Sequence, residues 1–131
     1  MTTALYAALL ALFYIVMSFK VVGKRRKYQV GIGSNGEMEL ERAIRVHGNF
    51  AEYVPFALLL LFLAEYSGLA PLYIHILGVA LIIGRLSHAW GVRQMKEPLG
   101  FRVFGMILTF SVMLLSAIAI IVLYCSRLLL W

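Results

Sequence analysis

The chain has 131 residues, 63% of them hydrophobic, and only 14% are Lys, Arg, Asp or Glu. Because soluble domains carry charge on about a quarter of their residues, this composition excludes a soluble globular fold. The net charge of +6 comes from basic residues beside apolar blocks, where such residues set membrane orientation and contact anionic lipid. We therefore expect membrane lipid as a partner and no nucleic acid.

Four apolar blocks are each long enough to cross a bilayer, which takes about 20 residues of α-helix. They predict membrane spans at about 3–22, 40–66, 69–91 and 101–124. Because these spans use most of the chain, we expect a single all-α domain over residues 1–131. Its predicted architecture is a bundle of four transmembrane helices.

Basic residues are concentrated at two of the three connections between the predicted spans. The loop at 67–71 contains no Lys or Arg, and neither does the N-terminus. Since Lys and Arg collect on the cytoplasmic side of a membrane, a multi-pass protein with both termini outside the cytoplasm is predicted. The basic positions are Lys20, Lys24, Arg25, Arg26 and Lys27 after the first span, and Arg93, Lys96 and Arg102 between the third and fourth spans.

The second span carries ionisable residues in its first half, whereas 56–64 is plain apolar sequence. At about 100 degrees per residue, the polar positions share an arc of about 80 degrees, which makes one stripe. An ionisable group costs at least ~2.5 kcal/mol at membrane depth, so the stripe is expected to face the bundle interior and pair, or to face water. It is interpreted either as a ligand site or as ion pairs that only stabilise the helix. The stripe consists of Glu41, Arg45, Asn49 and Glu52, with Arg42 just beside it.

The third span places Arg85 and His88 three residues apart, between Gly84 and Gly91. Glycine lets membrane helices approach closely, so a neighbouring helix is expected to pack here. Arg85 is the natural counter-ion for a glutamate of the stripe. His88 is either a ligand contact or a buried histidine that hydrogen-bonds within the bundle. The three histidines lack paired metal-ligand spacing, so no metal site is expected.

Arg102 lies at the start of the fourth span, just inside the basic side. One interpretation is an anchor whose long side chain reaches the lipid headgroups. The other is a cation directed into the same site as the stripe. The residues alone leave these two interpretations open.

The segment ERAIRVHGNFAEYVPF, followed by GRLSH in the next span and a Pro-x-x-x-Arg sequence, resembles the MAPEG family. These are membrane-associated proteins in eicosanoid and glutathione metabolism, including the microsomal glutathione transferases. The most specific feature is the pattern Glu-Arg-x-x-Arg-x-x-x-Asn-x-x-Glu. The resemblance covers essentially the whole chain. In this sequence the pattern falls on Glu41, Arg42, Arg45, Asn49 and Glu52.

The resemblance implies a homotrimer in a bacterial inner membrane, with glutathione as co-substrate bound between neighbouring subunits near the cytoplasmic face. Positions matching Asn49, Glu52 and His88 contact the tripeptide, and the position matching Arg102 lies near its thiol and is catalytic. Arginines suit the two carboxylates of glutathione, which assigns Arg45 and Arg85 to binding. A cation beside the thiol, whose free pKa is about 8.5, favours the reactive thiolate.

Two positions depart from the pattern of prostaglandin synthase-like members. Gly48 stands where those members have a glutathione-binding arginine, and Trp90, Gly91 and Val92 provide no tyrosine one turn after His88. The expected function is therefore a glutathione-dependent transferase or peroxidase acting on lipophilic electrophiles, and the alternative is a non-catalytic protein that binds lipid or thiol. A transporter is disfavoured because the polar stripe stops halfway across the second span.

Overall fold

The computed structural model describes residues 1–94 and 99–129 and contains four α-helices in that part of the chain. Their bounds are α1 Thr3–Tyr28, α2 Met38–Tyr66, α3 Pro71–Arg93 and α4 Leu99–Leu128. Each helix is long and apolar enough to cross a membrane, and no strand occurs among the described residues. The prediction of an all-α membrane protein with four spans is confirmed.

Helix α1 continues beyond the predicted end of the first span and carries the basic run in its last turns. Arg25, Arg26 and Lys27 lie in the final turn, where positive charge is favourable beside the exposed carbonyls of a helix end. Gln29 then stops the helix with a left-handed backbone, at φ 56°. The basic run is therefore part of a helix that projects beyond the apolar span. We call the end of the bundle where α1 finishes and α2 begins the basic end.

The core of the bundle is built around the apolar face of α2. Leu40, Val54, Ala57 and Leu61 are 0–2% exposed, and they recur at the spacing of one helix face. Helix α2 runs without interruption through Pro55. Large apolar side chains that lie on the outside of the protomer are common on all four helices, as a helix that faces lipid requires.

Helices α3 and α4 make the most extensive contact in the bundle, because glycines remove side chains from their interface. A Cβ atom added to Gly105 would lie 2.5 Å from the carbonyl oxygen of Gly84 and 2.7 Å from the backbone nitrogen of His88. Close packing at Gly84 agrees with the expectation from the sequence. It brings the start of α4 against the part of α3 that carries His88.

Candidate functional site

Helices α2, α3 and α4 converge at the basic end around a small cleft, which we call the three-helix cleft. Its volume is about 160 Å³. The cleft brings together four residues that the sequence predicted for the site, from three different helices. Its polar lining consists of Glu41, Arg42, Arg45 and Asn49 from α2, His88 from α3 and Arg102 from α4.

The polar stripe of α2 faces outward from the protomer rather than into its interior. Glu41, Arg45 and Glu52 are exposed, and Asn49 is partly buried. The opposite face of α2 is apolar and occupies the core, through residues such as Phe50 and Val54. Of the two alternatives expected from the sequence, an interior position or contact with water, the interior position is therefore not found within one protomer. Glu52 does not line the three-helix cleft.

Arg85 lies behind the cleft and contacts it through Asn49. Its side chain is 2% exposed, and its Nη1 donates a hydrogen bond to Oδ1 of Asn49 over 3.0 Å. Nη2 lies 3.5 Å from the sulfur of Met106 on α4. The partner of Arg85 is thus an amide, whereas a glutamate was expected from the sequence. Nothing in the sequence distinguished an amide from a carboxylate as the partner of this arginine.

The contact with Arg85 fixes the orientation of the Asn49 amide. A guanidinium has only donors, so the atom that faces it must be the acceptor oxygen of the amide. The Asn49 NH₂ group then remains as a donor for the cleft. Asn49 therefore suits an acceptor group on a ligand, such as a carboxylate oxygen.

Two contacts hold the first turn of α4 against α3 and so place Arg102 at the cleft. Ser87 Oγ donates a hydrogen bond to the carbonyl oxygen of Phe101 over 2.9 Å. A Cβ atom on Gly91 would lie 2.9 Å from the backbone nitrogen of Arg102, so only glycine permits this approach. His88, 4% exposed, lies in the same part of α3. Arg102 itself is exposed at the cleft.

The Arg42 side chain reaches from α2 to α3 and forms part of the cleft, although it was not among the predicted site residues. Its Nη1 donates a hydrogen bond to the carbonyl oxygen of Val92 over 3.1 Å. The signal that could have identified it is spacing, because Arg42 precedes Arg45 by three residues and Asn49 by seven. Positions so spaced lie close to one another on a helix surface.

The charges of the cleft suit an anionic ligand. Three guanidiniums line it with one carboxylate, Glu41. Guanidiniums bind carboxylates through paired, charge-assisted hydrogen bonds, and nearby cations favour the ionised form of a thiol. The cleft can therefore bind a carboxylate ligand and stabilise a thiolate. The proline of the Pro-x-x-x-Arg sequence, Pro98, and the predicted basic position Lys96 lie outside the described residues.

Comparison with known proteins identifies relatives that match over most of the chain. The model of the MAPEG family matches residues 3–122. Inner membrane protein YecN of Escherichia coli is 40% identical over 119 residues, which cover 91% of this chain and 89% of the relative. The uncharacterized protein sll1147 of Synechocystis is 36% identical over 96 residues, covering 72% of this chain and 69% of the relative.

Four membrane-spanning helices and the similarity to an inner membrane protein together indicate an integral protein of the inner membrane. The family model covers α1 to α3 and α4 as far as residue 122, and it includes every residue that lines the three-helix cleft. The chain therefore belongs to the MAPEG family of membrane proteins in glutathione and eicosanoid metabolism.

Proposed function

We propose that this protein is a glutathione-dependent transferase or peroxidase that acts on lipophilic electrophiles in the membrane. The observation that carries this proposal is the convergence of Arg45, Asn49, His88 and Arg102 on one cleft. These are four of the six residues assigned to the site from the sequence. The cleft lies at the basic end, which we propose to be cytoplasmic.

The dimensions of the three-helix cleft support a site completed by a second subunit. Its volume of about 160 Å³ is smaller than the roughly 300–1,000 Å³ of ordinary ligand pockets. A tripeptide therefore needs a further wall, which a neighbouring protomer of a homotrimer would supply.

The exposed charges of α2 support the same assembly. Glu41, Arg45 and Glu52 lie on the outside of a membrane helix, where an ionisable group that faces lipid costs at least ~2.5 kcal/mol. A neighbouring subunit and a bound polar ligand would remove these groups from contact with lipid. Glu52, which lies off the cleft of one protomer, is then free to bind the ammonium group of glutathione.

Five of the residues predicted for the site have roles at the cleft that follow from their chemistry. The Arg45 guanidinium binds a carboxylate of glutathione, and the Asn49 NH₂ group donates to a second acceptor. Arg85 supports binding by holding Asn49 in orientation. His88 adds a hydrogen-bonding group beside the ligand. Arg102 provides the positive charge that favours the thiolate.

The transferase reaction needs only the thiol of glutathione as nucleophile and an electrophile from the bilayer. The peroxidase reaction needs a second glutathione, whose thiol forms a disulfide with the oxidised sulfur of the first as the peroxide is reduced to an alcohol and water. Arg102 stabilises the sulfur anion when the thiol proton leaves to solvent. In the transferase reaction a new sulfur–carbon bond forms, and the bond to the leaving group breaks with its electron pair going to that group. In this proposal the protein contributes positioning and electrostatic stabilisation.

A second candidate, a non-catalytic protein that binds thiol or lipid, is favoured by the apolar part of the cleft. Val92 lines the cleft, and its carbonyl oxygen is occupied by Arg42. In addition, Gly48 stands in the place of an arginine. The cleft therefore offers a ligand fewer polar contacts than the prostaglandin synthase-like pattern implies. A membrane protein of the same fold that binds without turnover would need no more than such a cleft.

The direct test is turnover by the purified, full-length protein in detergent. We expect conjugation of glutathione to a chlorodinitrobenzene-type electrophile at a rate above the uncatalysed reaction, and an ultraviolet thiolate absorbance when glutathione is added. Arg26→Ala is the matched control, because Arg26 is an exposed arginine outside both the stripe and the cleft. Binding of glutathione without turnover would favour the second candidate as a thiol-binding protein, and the absence of glutathione binding would contradict the proposed transferase or peroxidase.

A further inference from the structure

A second and larger cleft lies at the basic end, between α1, α2 and α3. Its volume is about 390 Å³, which is within the range of ordinary ligand pockets, roughly 300–1,000 Å³. Arg42 lines both clefts and lies between them. Apart from Arg42, no residue that lines the three-helix cleft lines this second cleft, which we call the α1–α3 cleft.

The α1–α3 cleft exists because α1 and α3 touch at one end of the bundle and leave space between them at the other. Away from the basic end, the ring of Tyr6 packs directly against Gly78, where a Cβ atom would clash with it. Tyr6 Oη also hydrogen-bonds to Nδ1 of His75 over 2.8 Å. Toward the basic end the facing residues of α1 and α3, such as Met17 and Ala89, line the cleft.

The deep part of the α1–α3 cleft is apolar, and its mouth opens on the outer surface of the membrane-spanning helix α3. Phe13, Met17 and Val46 line it, and Met17 is buried at 4% exposure. Leu86 and Trp90, which also line it, are 50% and 57% exposed on the outer surface of α3. Tryptophan is typical of the interface between hydrocarbon and headgroups, so the mouth lies at the depth where acyl chains join their headgroups.

The rim of the same cleft is cationic. Four basic residues line it with a single carboxylate, that of Glu39. Glu39 is already engaged by Lys24 at 2.9 Å and by Lys27 at 3.5 Å. No residue of the described ranges hydrogen-bonds or ion-pairs with the side chain of Lys20 or of Arg93, so these two cations remain available for a ligand.

We infer that the α1–α3 cleft binds one anionic phospholipid of the leaflet at the basic end. The lipid phosphate lies between Lys20 and Arg93, and the first part of an acyl chain enters along Met17 toward Phe13. Lys20 and Phe13 are seven residues apart, roughly 10 Å along the helix, which matches a ligand with a charged head and an apolar stem. Basic pockets between membrane helices are suited to anionic headgroups, and the apolar depth distinguishes this cleft from a site for a free anion.

The inference is tested by incubating the full-length protein with equal amounts of phosphatidylglycerol and phosphatidylcholine and measuring the retained lipid by native mass spectrometry. We expect phosphatidylglycerol to be preferred. Lys20→Gln and Arg93→Gln should each lower its retention about fivefold, which corresponds to about 1 kcal/mol per cation at an anionic surface. Arg26→Gln removes a cation at the same end of the protein but outside the cleft, and it should leave retention unchanged.

A second pair of variants distinguishes insertion of the lipid from simple surface attraction. Ala89→Phe fills the apolar part of the cleft and should abolish the preference, whereas Ala11→Phe adds the same bulk on an exposed part of α1 and should not. Thermal unfolding of each variant establishes that the fold is intact. Soluble glycerol phosphate, which lacks an acyl chain, should compete poorly with the lipid.

Three results would overturn the inference. The first is equal retention of the two phospholipids, or a loss of phosphatidylglycerol retention that is the same in the cleft variants and in their controls. The second is competition by glycerol phosphate as strong as that by phosphatidylglycerol, which would mean that the cleft recognises phosphate alone. The third is a change of oligomer mass in Ala89→Phe without any change in bound lipid, which would assign the cleft to a contact between subunits.

Discussion

The Arg85 guanidinium on α3 donates a hydrogen bond to the Oδ1 atom of Asn49 on α2 over 3.0 Å. Arg85 is 2% exposed, so a buried cation determines which atoms of the Asn49 amide face the cleft. Among the predicted binding residues, Arg45, Asn49 and His88 line the cleft, Arg85 acts from behind it, and Glu52 lies off the cleft of one protomer.

Replacement of Arg85 by methionine should weaken both the fold and the binding of glutathione. The change leaves the partly buried Oδ1 atom of Asn49 without its donor, and the cost of about 1–3 kcal/mol for a fully buried unsatisfied group is the upper bound here. We expect a lower unfolding temperature. The glutathione concentration needed for half-maximal binding should rise about tenfold, since about 1.4 kcal/mol corresponds to that factor. Arg26→Met is the control. A variant with unchanged stability and unchanged glutathione affinity would show that Arg85 does not position Asn49.

Gly105→Ala should destabilise the contact between α3 and α4. The added Cβ would lie 2.5 Å from the Gly84 carbonyl oxygen and 2.7 Å from the His88 nitrogen, and both are backbone atoms that cannot rotate away. Overpacking of this kind costs about 1–3 kcal/mol. Gly100→Ala, on the same helix, meets nothing within 4 Å and should be neutral. Equal thermal unfolding of the two variants would contradict the close helix contact.

The four spans could be predicted from the sequence because a membrane helix needs a long apolar block, and length alone identifies it. The predicted ends of the spans were less accurate. Helix α4 extends from Leu99 to Leu128 rather than from about 101 to 124, because a helix does not have to stop at the membrane boundary. Likewise α1 continues through its basic run to Tyr28.

The site was predictable in part, since helical spacing groups Arg45 with Asn49 on one face of α2. Spacing gives the angle between residues on a helix, but it does not say whether that face turns inward or outward. The outward direction of the stripe depends on how α2 packs in the bundle. The pairing of Arg85 with Asn49 depends on the relative rotation of two helices, which one sequence does not encode in any local pattern.

Membrane orientation is predicted by the distribution of basic residues. Reporter fusions after Lys27 and after Lys96 should read as cytoplasmic, and a fusion at Trp131 should read as external. A fusion after Ser67, in the connection without Lys or Arg, serves as an internal control and should also be external. An external signal from the Lys27 fusion would place both clefts on the other side of the membrane.

Loss of a charge from the outer face of α2 should weaken the assembly. If a neighbouring subunit covers Glu41 and Arg45 and pairs their charges, Arg45→Ala leaves one charge without its partner in a low-dielectric setting. We expect partial dissociation of the proposed trimer in size-exclusion chromatography with light scattering, together with a lower unfolding temperature. The exposed Arg26→Ala should leave the mass unchanged. An intact trimer of normal stability for Arg45→Ala would mean that the stripe faces water.

Asn49→Ala and Glu52→Ala should mainly raise the glutathione concentration required for half-maximal rate. In our proposal these side chains bind the tripeptide but do not contact the sulfur, so they stabilise ground state and transition state alike. The rate at saturating glutathione should change little. A large fall in that rate with an unchanged glutathione requirement would contradict their assignment as binding residues.

We propose that Arg102 stabilises the thiolate. The decisive experiment measures thiolate absorbance and turnover side by side in Arg102→Ala and Arg102→Lys. Arg102→Ala should keep the oligomeric state of the wild type, bind glutathione with modest loss and lose the thiolate absorbance. Its rate at saturating glutathione should fall by about tenfold or more, since each pKa unit of the thiol corresponds to about 1.4 kcal/mol. Arg102→Lys keeps the charge without the planar guanidinium, so it should retain part of the thiolate absorbance and part of the turnover. If both variants keep the wild-type absorbance and turnover, Arg102 is an anchor to lipid headgroups and the account of catalysis is wrong.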